Sequence, residues 1–81
     1  MGPIRSLYPG TTAAEVLALT NGSAFKSIAA ALRGDIVEAL TMVDCDQDPA
    51  KALGLVRRLQ ALNLLVEEVE QAGATASKEI R

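Results

Sequence analysis

The chain has 81 residues, a net charge of −2 and 49% hydrophobic residues, with one Cys, one Tyr, one Phe and no His or Trp. A chain of this length forms one small domain whose own core is marginal, and oligomerisation, disulfides or metals are the usual supplements. A single Cys without His supplies neither a disulfide nor a zinc set, and the mild acidity gives no general attraction to nucleic acid or anionic membrane.

Residues 1–10 read as an extended arm. Pro3 and Pro9-Gly10 oppose a helix, and Ile4, Leu7 and Tyr8 are apolar enough to lie along a neighbouring surface. The start of the chain lacks the charged head and apolar core of a secretory signal, and no apolar run approaches the roughly eighteen residues of a membrane span. A cytoplasmic protein, or one held in a particle assembled in the cytoplasm, is expected.

Thr12-Ala13-Ala14-Glu15 has capping-box spacing and opens a short helix over about 13–20, closed by Asn21-Gly22. Ser23 then caps a second helix over about 24–43. Its apolar positions Phe25, Ile28, Ala29, Leu32, Ile36, Ala39, Leu40 and Val43 recur at three- and four-residue steps and form the expected core stripe. That stripe passes Gly34 in register, which predicts an unbroken helix although Gly weakens a helix interior by about 1 kcal/mol relative to Ala.

Asp48-Pro49 starts a third helix over about 49–72, with Gly73 as its expected stop and 74–81 as a polar tail. The predicted fold is therefore all-α: an antiparallel helical hairpin with a short preceding helix and an arm. Leu55, Val56, Leu59, Leu62, Val66 and Val69 form the main stripe of the third helix. Leu53, Ala61, Leu64 and Leu65 lie outside that stripe, so this helix is apolar on more than one face, the mark of a helix covered on more than one side.

The charges of the third helix run against its macrodipole, with Arg57 and Arg58 early and Glu67, Glu68 and Glu70 late. An antiparallel hairpin accounts for this by setting Lys26 level with Glu67 and Glu68, and Asp35 level with Arg57 and Arg58. A second arrangement also accounts for it. The helix is nearly palindromic about the Leu62–Asn63 bond, so two copies crossing antiparallel match apolar with apolar and Arg with Glu, as a two-fold interface requires.

The hinge Asp44, Asp46 and Asp48 has the spacing of the first ligands of an EF-hand calcium loop. Pro49 and Leu55, however, stand where that loop needs its Gly and its bidentate Glu. Cys45 sits among carboxylates that disfavour its thiolate, and no His can act as its base. The expectation is a non-enzymatic chain with no catalytic, cofactor-binding or metal-ligating residue and no cofactor.

The function that fits is assembly or adaptor work in a homo-oligomer or larger protein complex. A small accessory component of a multi-subunit particle such as a phage virion is one such role. Its interface is expected at Leu53, Arg57, Arg58, Leu59, Ala61, Leu62, Leu64, Leu65, Val66, Glu67 and Glu68, with Ile4, Leu7 and Tyr8 as arm contacts. The alternative is a small helix-turn-helix DNA-binding regulator using residues 13–33, with Lys26, Ser27 and Arg33 toward the groove.

Overall fold

The computed structural model describes residues 2–80. Among them the protein is all-α, with α1 (Pro3–Leu7), α2 (Ala13–Asn21), α3 (Ser23–Met42) and α4 (Pro49–Ile80) in chain order. The 32 residues of α4 give a rod of about 48 Å at 1.5 Å per residue, which sets the 53 Å long axis of the molecule. Each of the other helices packs against α4.

The predicted extended arm is instead a single helical turn. Pro3 does not block it, because at the first helical position its missing N–H was not needed and its fixed φ suits a helix. One turn is not stable alone, so tertiary contacts hold it. Ile4 is 0% exposed and packs with Ala72, Ala76 and Val16. The Glu79 carboxylate, from the far end of the chain, accepts the Ile4 N–H at 3.2 Å and does the work of a cap. Gly10, at φ +85°, then turns the chain into α2.

The Thr12 capping box forms as its spacing predicts: the Glu15 N–H donates to Thr12 Oγ1, and the Thr12 N–H donates to the Glu15 carboxylate. Only Gly22 separates α2 from α3. It is extended (φ −75°, ψ 145°) rather than left-handed, and it, not Ser23, is the N-cap residue of α3. Gly34 lies within α3, and the helix runs through it unbroken. At the hinge, Asp44 Oδ1 accepts the N–H groups of Asp46 and Gln47, and Asp48 Oδ1 accepts the Lys51 N–H at the start of α4.

Two further expectations are corrected. Gly73 does not end α4, and 74–80 is not a tail beyond it: the helix continues to Ile80. The reason is the run of small residues. A Cβ on Gly73 would lie 2.6 Å from Thr20 Cγ2, so its absence lets α2 approach closely. Ala72 and Ala76 are covered in the same way by α1 and α2. The main buried cluster is thus Ile4, Val16, Ala72 and Ala76, at the C-terminal half of α4 rather than in the hairpin.

Candidate protein-interaction surface

α3 lies antiparallel along α4. Arg33 Nη2 donates to Asn63 Oδ1 at 2.8 Å, and Phe25 and Ala29 share a groove with Val66 and Val69. Ala29 and Leu55 are the buried apolar residues of these two helices outside the main cluster, while Phe25, Ile36, Leu40, Leu59, Leu62 and Val66 are half-buried. Ile28 and Leu32, assigned to the core stripe by their spacing, are 61% and 48% exposed. The apolar arc of α3 is wider than one neighbouring helix can cover.

The two edges of this seam differ in chemistry. Stepping toward Lys26 and Arg33 on α3 and toward Asn63 and Glu70 on α4 gives a polar edge, closed by the Arg33–Asn63 bond. Successive helical residues are about 100° apart, so one residue back from Ala29, Arg33 and Val66 lie Ile28, Leu32 and Leu65. In an antiparallel pair these flanks fall on one side. That side is covered by α1 and α2 at Ala72 and Ala76, and exposes Leu32 and Leu65 toward the hinge.

It continues into a groove between α2 and α4 lined by Tyr8, Val16, Leu19, Leu65, Val69 and Ala72. Leu19 and Leu65 there are 46% and 52% exposed. At the groove's margin the Tyr8 hydroxyl donates to a Glu68 carboxylate oxygen. That bond raises the Tyr8 pKa above its usual value, with burial and the negative charge of Glu68 adding to it.

The interface residues proposed from sequence divide into two sets. Leu59, Leu62 and Val66 are half-buried on the side of α4 turned to α3. Leu53, Arg57, Arg58, Ala61, Leu64, Leu65, Glu67 and Glu68 are exposed, and Leu64, at 66%, is the most exposed large apolar residue of its helix. The stripe needed for the palindromic crossing of two third helices therefore already has α3 alongside it. Of the arm residues, Ile4 and Tyr8 pack within their own chain, whereas Leu7 is 62% exposed. The sequence reading missed Leu19, Ile28 and Leu32 as surface residues. The signal was present in α3, whose apolar arc exceeds a single contact face.

In the hinge, Asp44 and Asp48 turn their carboxylates onto backbone N–H groups, and Cys45 is an exposed free thiol. The α2–α3 junction is one residue long, where a helix-turn-helix has a turn of about three or four. Arg33, expected at a DNA groove, is bonded to Asn63. No helix among the described residues is long and apolar enough to cross a membrane. No protein-family model, curated protein or solved structure matches the chain.

Proposed function

We propose that this protein is a non-enzymatic assembly or adaptor module that acts by burying apolar helix faces against protein. The observation that carries this reading is surplus surface. The chain exposes 5856 Å² where a compact monomer of 8.5 kDa exposes about 4,700 Å². Its radius of gyration is 16.5 Å against about 12 Å for a compact chain of this length. The exposed residues include large apolar side chains: Ile28, Leu32, Leu53, Leu64 and Leu65. Such area in water favours association, at about 25 cal/mol per Å² removed from solvent.

A small component of a larger particle, such as a virion, remains one role within this reading. The test is sedimentation velocity over micromolar concentrations together with binding of a dye that reports exposed apolar surface. The expected result is a species larger than 8.5 kDa, or a monomer that binds dye strongly. A stable monomer that ignores the dye would sink the proposal. Against the DNA-binding alternative stand the one-residue α2–α3 junction and the Arg33–Asn63 bond; retention of duplex DNA at low salt, lost as salt rises, is the result that would favour it.

A further inference from the structure

α1 is held to the rest of the chain through Ile4 and Tyr8. Ile4 fills a socket made by Val16, Ala72 and Ala76, and its N–H is received by Glu79. The Tyr8 hydroxyl, at the other end of α1, is received by Glu68. Pro3, Arg5, Ser6 and Leu7 are exposed. Beyond Tyr8 the chain turns at Gly10, whose φ of +85° and backbone freedom make that turn a pivot.

The Ile4 socket and the groove of Leu19, Leu65 and Val69 have Val16 and Ala72 in common, and Tyr8 packs against both. Together they form one apolar trough between α2 and α4, closed at one end by α1. The Tyr8 oxygen is the point of this closure that chemistry can alter. From α4 it faces Glu68, while α2 lines the groove with Val16 and Leu19. The one charged residue of α2, Glu15, has its carboxylate turned onto Thr12. Arg5 of α1 itself borders a different hollow, with Pro9, Gly10 and Thr12. No cation is among the residues lining the groove to offset a negative charge placed there.

We propose that α1 is a detachable strap clasped by the Tyr8 hydroxyl on Glu68, and that negative charge on the Tyr8 oxygen releases it, uncovering the Ile4 socket while α2, α3 and α4 stay folded. A phenolate has no proton to donate, and two anions in contact repel. The clasp is therefore shut while Tyr8 is neutral and opens as pH rises through its raised folded pKa. One helical turn has no stability of its own, so α1 unwinds once released. The start of α2 survives because its capping box is local. This device goes beyond the assembly reading and does not depend on it, since both states belong to a single chain.

The experiment is an alkaline titration of the full chain from about pH 8 to 12. It follows Tyr8 absorbance, the NMR signals of the Ile4 methyl groups, binding of a dye that reports apolar surface, and helix content by circular dichroism. The expected result is that dye binding rises with the midpoint of Tyr8 ionisation. The Ile4 signals should shift at the same midpoint toward those of an exposed isoleucine, with a loss of helix no larger than α1. Tyr8→Phe, which keeps every other titratable group, should abolish both changes. Glu68→Gln should diminish them although Tyr8 still ionises, because an amide can donate to a phenolate. Ile4→Asp should show the dye binding of the open state at neutral pH, with the longer helices retained.

Ionisation of Tyr8 without movement of the Ile4 signals would overturn the proposal. So would an equal rise in dye binding in Tyr8→Phe, which would assign the change to other groups. Loss of the whole helix signal with Tyr8 ionisation, or in Ile4→Asp, would show that α1 does not detach separately. None of these outcomes bears on the assembly reading, which is decided by sedimentation.

Discussion

Three glycines of the long helices illustrate how position decides what a residue does. A Cβ on Gly34 or Gly54 would meet nothing within 4 Å, and both lie inside helices. Ala at either position should stabilise by about 0.5–1 kcal/mol in urea unfolding, because Gly carries the greater backbone entropy cost. Gly73→Ala should do the opposite. The new Cβ would lie 2.6 Å from Thr20 Cγ2 and 3.0 Å from Thr20 Cβ, and a β-branched side chain on a packed helix has little room to yield. A loss of about 1–3 kcal/mol is expected, partly restored by Thr20→Ala.

At the same scale, Tyr8 is the sole tyrosine, so its ionisation can be followed by absorbance. Its pKa is raised in the folded protein, chiefly by the hydrogen bond to Glu68. Neutral Tyr8 is the donor, so the link is intact below the usual phenol range and is lost as pH rises through the raised folded value. Glu68→Gln should lower the alkaline titration midpoint toward that of an ordinary phenol. An unchanged midpoint would show that the bond does not persist in solution.

At the scale of elements, α1 is a helix made by its surroundings. Five residues cannot hold a helix alone, and this one is held by Ile4 beneath it and Glu79 at its start. Ile4→Ala should cost about 2 kcal/mol, the low end for such a truncation, because α1 can detach before the rest unfolds. Hydrogen exchange should show the protection of Tyr8 N–H, bonded to Ile4 O, lost first. Glu79→Gln should show a milder form of the same loss. By contrast α2 has a local signal that is satisfied locally: Thr12→Ala should cost about 1 kcal/mol through loss of the capping box.

At the scale of the whole molecule, a rod of 53 × 23 × 17 Å has too little interior for its length. Its main core is four residues, one of them large and fully buried. Under the assembly role proposed above, self-association would make the melting temperature rise with protein concentration between about 1 and 100 μM. Leu65→Asp should flatten that dependence while leaving the helix content of the chain unchanged. A melting temperature independent of concentration in the unaltered chain would argue that the surplus surface is not used by a second copy.

Much of the fold was legible because the signals concerned are local. The Thr12–Glu15 box, the Asp48-Pro49 start and the three-and-four spacing of α3 and α4 act within a few residues, and the structure realises each. What tertiary structure decided was the status of the weak segments and the location of the core. Ala72, Gly73 and Ala76 look like the end of a helix in sequence because they carry little area and one of them is Gly. They become the centre of the core because small side chains let α1 and α2 come close, a property of the approaching helix as much as of the residues themselves. The same holds for the surface. Spacing alone placed Ile28 and Leu32 on an apolar stripe, but which part of that stripe α4 covers depends on how the two helices are rotated against each other. That rotation leaves Ile28, Leu32 and Leu65 exposed on one flank.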